Sequence, residues 1–184
     1  MTPRPPARTP RRTAVLPWRR TTSRLLLVDG RDRLLLLCAR DPRGRGARWW
    51  FTVGGAVEKG EDHVQAALRE LREETGLRVP ADRLGPVVWT RRARFRTTWR
   101  RIDQDEEYRL LVITDDEAAG LRIDPHEARY GHRWWSAADL AATRETVRPR
   151  GMDVLLPAVL AGAGAPLHLG DVDEDTEPDR AARP

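Results

Sequence analysis

Between residues 21 and 164 the apolar positions change period several times, and each change predicts an element. The stretch "SRLLLVDGRDRLLLLCAR" reads as two strands joined by a "DGRD" turn, a hairpin. After the loop "RGRGAR", "WWFTV" reads as a short buried strand. "VVWTRRARFR" and "EEYRLLVITDD" predict two longer strands with a polar connection. "HRWWSAADLAAT" predicts a strand running into a short helix with Ser136 as N-cap. "MDVLLPAVLAG" predicts a last helix capped by Asp153, with Pro157 in its first turn. The clearest helix spans residues 62–75. Asp62 is its N-cap, Gln65 stands three residues on as in a capping box, and Gly76 follows as a left-handed C-cap. Val64, Leu68 and Leu71 form its apolar stripe, with Ala67 at the margin. Strands mixed with a few helices around one core predict a layered α/β domain.

The length of 184 residues suits one domain with a proper core. No apolar run approaches a membrane span, and the N-terminus lacks the apolar segment of a signal peptide. Cys38 is the single cysteine and lies in an apolar run, so no intrachain disulfide forms; a cytoplasmic location is expected. The formal charge of +5 is unevenly spread. Residues 1–20 hold six arginines, five prolines and no acid, and read as a disordered basic tail. Residues 165–184 carry the acidic stretch "GDVDEDTEPDRAARP" and read as a second disordered tail. Solvated tails account for this pattern, and nothing in it argues for nucleic acid or membrane as partner.

Glu70, Glu73 and Glu74 crowd one arc of the helix. Taken alone, "ELREE" is a solvated acidic face with Arg69 and Arg72 as ion-pair partners. The context favours another reading. Carboxylates at i, i+3 and i+4 converge, and each raises the others' pKa unless a cation intervenes. Hard oxygen ligands on a rigid face suit Mg²⁺, which keeps positions open for water and phosphate oxygens. Upstream, "VGGAVEKGE" is a glycine-rich turn that lets a substrate approach the backbone. In "RRARF", Arg92, Arg94 and Arg96 share one face of a strand; they and Phe95 are candidates for phosphate clamping and base stacking, against a solvated hairpin paired with "DQDEE".

Residues Gly55, Glu61, Arg69, Glu70, Leu71, Glu73, Glu74, Gly76 and Leu77 fill every fixed position of G-x5-E-x7-R-E-U-x-E-E-x-G-U, where U is bulky and aliphatic. The stretch thus resembles the signature of the Nudix hydrolases. One departure is Val53, where that family often has proline. The resemblance implies a Nudix fold, a mixed β-sheet sandwiched between α-helices, and hydrolysis of a nucleoside diphosphate linked to another moiety. Carried onto this chain, it makes Glu70, Glu73 and Glu74 metal-binding carboxylates, with the Gly55 carbonyl a further ligand and Mg²⁺ or Mn²⁺ the cofactor. Arg69 and Glu61 become orienting residues, and Leu71, Gly76 and Leu77 structural positions. One of the three metal-binding glutamates, or a partner outside the helix, would deprotonate the attacking water; Glu127, in "DPHEARYGHRWW", is the outside candidate for extra ligand or general base, ahead of Glu106 and Glu107. A non-catalytic nucleotide-sensing module and an isoprenoid diphosphate isomerase are the alternatives. Homodimerisation is compatible with such a fold, and the substrate is left open.

Overall fold

The computed structural model describes residues 16–40, 48–97, 99–162 and 166–176. Strands β1 (Trp18–Val28), β2 (Leu34–Arg40) and β3 (Arg48–Ala56) precede helix α1 (His63–Thr75). After a 3-10 turn at Ala81–Arg83 come β4 (Val87–Arg96), β5 (Arg101–Val112) and α2 (Asp115–Ala119). Then follow β6 (His132–Trp135), α3 (Ala137–Ala142), β7 (Thr146–Val147), α4 (Met152–Leu160) and β8 (Leu167–Asp173). The strands form one mixed sheet in the order β6-β2-β3-β1-β5-β4-β8, with β7 beside β3. β1 runs parallel to β5, and β8 parallel to β4.

Both faces of the sheet are buried, which explains why "LLLV" and "LLLLC" are continuous apolar runs. Leu26, Val28, Leu34 and Leu36 pack with Leu140 of α3 and with Met152, Leu156 and Val159 of α4. Leu25, Leu27, Leu35 and Leu37 pack with Ala67 and Leu71 of α1 on the other side. The α/β/α sandwich is therefore present. Among the described residues no helix is long and apolar enough to cross a membrane.

Several elements differ from the reading of the sequence. β1 and β2 are joined by a tight turn in which Asp29 accepts the Arg31 and Arg33 amides at 3.0 and 2.9 Å, yet only Val28 and Leu34 stand in register. Instead of a hairpin the two strands splay, and β3 inserts between them. β5 starts earlier and ends sooner than "EEYRLLVITDD", because Thr114 and Glu117 form a capping box that opens α2. α4 is capped by Gly151 in the left-handed region, not by Asp153, which lies in the first turn. Pro157 therefore sits in the helix interior, where its missing amide removes an internal hydrogen bond.

The tails also need correction. Trp18–Arg20 already belong to β1, and Leu167–Asp173 form an edge strand within what reads as a disordered acidic tail. The strand's acids are used: Asp171 pairs with Arg94 at 3.0 Å and Asp173 with Arg101 at 2.9 Å. Residues 1–15 and 177–184, and most of the "RGRGAR" loop, lie outside the described residues.

Candidate active site

α1 forms where its signals stand. Asp62 accepts the Gln65 amide at 2.8 Å, and the Gln65 side chain accepts the Asp62 amide at 2.9 Å. Gly76 closes the helix at φ 73°. This fixes the rotation of α1, so that Leu71 enters the core and Glu70 and Glu74 face the glycines at the end of β3. Glu74 is buried, and its carboxylate accepts the Gly54 amide at 2.8 Å. A Cβ built on Gly55 would lie 2.3 Å from Glu70 Oε1, so the Glu70 carboxylate occupies the space that the absent side chain leaves.

Arg69 ties the turn to the helix. Its Nε and Nη2 donate to the two Glu61 oxygens at 2.8 and 3.0 Å, and Nη2 also donates to the Ala56 carbonyl at 2.8 Å. Its Nη1 reaches Glu70 at 2.9 Å and Glu73 at 3.2 Å. Glu73 is exposed and also pairs with Arg72 at 3.3 Å. Leu77 is half-buried against the core beneath α1.

Burial pushes the Glu74 carboxyl up to about 8; the Gly54 amide and Arg24 pull it down, while Glu70 and Glu127 push it further up. Burial likewise raises Glu70, against the pull of Arg69. A buried and a half-buried carboxyl are thus held above their ordinary range, by desolvation first and then by neighbouring carboxylates, Glu73 acting on Glu70 and Glu70 on Glu74. A divalent cation relieves that condition, and their oxygens are hard donors. The donor chemistry of Glu70 and Glu74, beside the Gly55 carbonyl, therefore fits Mg²⁺ or Mn²⁺. Glu73 instead faces Arg69 and Arg72, and among the described residues no three metal-ligating side chains are gathered into a site.

Glu127 is exposed in the turns after α2, close enough for its charge to act on Glu74. Its loop is fastened to the end of α1 by the Asp124 amide, which donates to the Glu74 carbonyl at 2.8 Å. Glu107 lies 3.9 Å from His63 and pairs with Arg109, and Glu106 is buried elsewhere.

A cavity of about 190 Å³ opens beside this site. Trp49, Phe51 and Phe95 supply aromatic wall, and Arg24, Arg91 and Glu106 supply charge. Arg24 links cavity and carboxylates: its guanidinium donates to the Gly54 carbonyl and lies 4.0 Å from Glu106. Arg91 pairs with Glu106 at 2.6 Å, and the Tyr108 hydroxyl donates to the same carboxylate at 2.7 Å. Burial opposes ionisation of Glu106, but Arg91 and Arg24 outweigh it and hold the carboxyl below its ordinary range.

The arginines singled out in the sequence stand away from this cavity. Arg92 grips Asp103 with two bonds of 2.8 and 2.6 Å, Arg94 pairs with Asp103 and Asp171, and Arg96 is exposed. Alternation along β4 gives Phe95 and Arg91 the opposite face, so the expected cluster is split: Phe95 lines the cavity and the three arginines do not. Arg91 and Arg24 were missed. An arginine beginning the apolar run of β1 is a signal that could have drawn notice to Arg24. Arg91 carries none, because only its partner on β5 shows which face looks inward.

The model of the NUDIX domain family matches residues 18–156. The nucleoside triphosphatase NudI of Escherichia coli is 33% identical over 129 residues, spanning 66% of this chain and 90% of that protein. In fold, a MutT protein from Bacillus halodurans superposes with a TM-score of 0.55 at 18% identity, covering 86% of this chain and 93% of its own. An Ap4A hydrolase of C. elegans, in a binary complex, gives 0.52 at 22% identity, covering 78% and 98%. At such identities these two structures speak to the fold.

Proposed function

Because the chain belongs to the NUDIX domain family and is a pyrophosphohydrolase, we propose that it cleaves a phosphoanhydride bond of a nucleoside diphosphate derivative in a Mg²⁺-dependent reaction, with nucleoside triphosphates the first substrates to try. The observation that carries this reading is the pair of carboxylates against the end of β3: buried Glu74 on the Gly54 amide and half-buried Glu70 in the space beside Gly55. The name of the NudI relative supports the triphosphate.

Glu70, Glu74 and the Gly55 carbonyl would hold the metal, joined by Glu73 once it leaves Arg69. When bound, the metal supplies Lewis acidity to the phosphoryl oxygens and lowers the pKa of water. The protein does the rest. Arg69 and Glu61 keep the turn and the helix in fixed relation, so Gly55 and Glu70 meet the phosphates in one geometry. Glu127, open to solvent and close enough for its charge to act on Glu74, would take the proton from attacking water. The cavity beyond Arg24 receives the part of the substrate that carries no phosphate.

The test is release of phosphate or pyrophosphate from nucleoside triphosphates by the full chain, with and without Mg²⁺. Glu70→Gln and Glu74→Gln should each lower kcat by about a hundredfold or more. Their circular dichroism should match wild type, since Gln at 74 keeps an acceptor for the Gly54 amide. Calorimetry should register Mg²⁺ uptake by wild type and its loss in both variants. Near-normal turnover in the two variants would refute the carboxylate assignment. Nucleotide binding without any turnover would leave a sensing module.

A further inference from the structure

The family match ends at residue 156, yet the cavity wall does not. Arg148 and Glu174 complete it, and Glu174 follows directly on β8. Its position is fixed by the sheet, for β8 lies in register with β4 and the Glu174 amide donates to the Arg94 carbonyl at 2.8 Å. One carboxylate oxygen of Glu174 pairs with Arg91 at 3.1 Å and with Arg148 at 3.4 Å. The Glu174 carbonyl also accepts from Arg148 at 3.3 Å. Arg91 is thereby clamped between Glu106 and Glu174, at 2.6 and 3.1 Å.

The cavity suits a base better than a phosphate. At about 190 Å³ it holds one ring system rather than a whole nucleotide, against the roughly 300–1,000 Å³ common for larger ligands. Its three guanidinium groups face two carboxylates, so most of the positive charge is already neutralised. Trp49, Phe51 and Phe95 offer surfaces for stacking. Arg24 joins the cavity to the carboxylates, which puts the phosphate-free end of a bound nucleotide here.

We propose that Glu174 is a positioning residue for base selection: it holds Arg91 and Arg148 as a fixed donor pair that reads the carbonyl-bearing edge of a nucleobase in this cavity. Guanidinium groups only donate, so they match guanine O6 and N7 or the O4 of uracil. Adenine and cytosine present an amino group at the corresponding position and leave a donor facing a donor. This inference rests on the hydrolase reading, and its test is separable from it.

KM and kcat of the full chain are measured with Mg²⁺ on GTP, UTP, ATP and CTP. In Glu174→Gln, KM for GTP and UTP should rise about tenfold, while KM for ATP and CTP and all four kcat values stay within about twofold. Glu174→Asp, which keeps the charge, should recover most of the loss, and Arg148→Gln should reproduce it from the other side of the pair. Tryptophan fluorescence of the metal-free protein, titrated with UMP and with AMP, reads the cavity without turnover; Glu174→Gln should weaken UMP binding and spare AMP. An equal KM change for all four bases, a fall in kcat accompanying a lowered Tm, or no change at all would overturn the proposal. Failure of wild type to turn over any of the four would instead sink the choice of nucleoside triphosphates as substrates, and the fluorescence titrations would then decide the cavity's role alone.

Discussion

Two adjacent glycines, Gly54 and Gly55, are glycine for different reasons. Gly54 has φ +122°, and a Cβ there would lie 2.2 Å from the Ser23 carbonyl oxygen on the neighbouring strand. Backbone cannot yield, so Gly54→Ala should cost on the order of 3 kcal/mol, read as a shift in the denaturation midpoint. At Gly55 the obstacle is the end of a flexible side chain, the Glu70 carboxylate at 2.3 Å. Gly55→Ala should therefore leave stability nearly unchanged but displace Glu70, with kcat falling on the order of a hundredfold. Comparable loss of stability in both variants would contradict the distinction. The pair itself is legible in "VGGAVEKGE", as are the glutamates; which glycine guards the fold and which the site is not, because that depends on what the sheet and α1 place opposite each. Arg91 and Arg92 teach the same lesson. Strand alternation separates them, but only pairing with β5 sends one to Glu106 in the interior and the other to Asp103.

At the scale of the element, α1 is readable because its ends are written in side chains that act locally. Asp62, Gln65 and Gly76 each satisfy or release a backbone group within a few residues of themselves. Asp62→Ala removes the acceptor for the Gln65 amide and should cost about 1 kcal/mol, lowering Tm by about 3 °C. Because the carboxylates lie two or more turns beyond the cap, on a stretch that Leu71 anchors in the core, kcat should stay within about twofold; an unaltered Tm would mean that packing of Leu71 alone fixes the helix. β8 was not readable. "LHLGDVD" lacks the apolar alternation of a buried strand, and its place comes from a neighbour's hydrogen bonds and from Arg94 and Arg101. α2 hid for a related reason: "EEYRLLVITDD" keeps an apolar rhythm up to Ile113, and only the Thr114–Glu117 capping box, local but short, ends the strand.

Across the whole molecule, the layered architecture follows from apolar runs that must be covered on both faces, whereas strand order follows from where β3 inserts, which no local pattern records. The polar side of the sheet is held by arginine–carboxylate pairs, and that has a consequence for acid. Asp103 is buried and takes two bonds from Arg92, with Arg94 at 3.7 Å and Arg19 at 4.0 Å. The Arg92 bonds hold its carboxyl below the ordinary value of 3.8. In the turn after β1, burial would raise Asp29, but the bonds from Arg33 and from the Arg31 amide prevail and lower it. A carboxyl depressed in the folded state binds its proton more readily when unfolded. The stability it contributes is therefore complete above its unfolded pKa and is lost as pH falls through the folded one. Tm should accordingly stay level from neutral pH down to about 4 as far as these groups are concerned, and then drop. Asp103→Asn cannot titrate: it should begin with a lower Tm at pH 7 and lose less of it between about pH 4 and pH 2 than wild type does. Parallel curves for the two proteins, measured by scanning calorimetry, would show that the β4–β5 pair contributes nothing to the acid response.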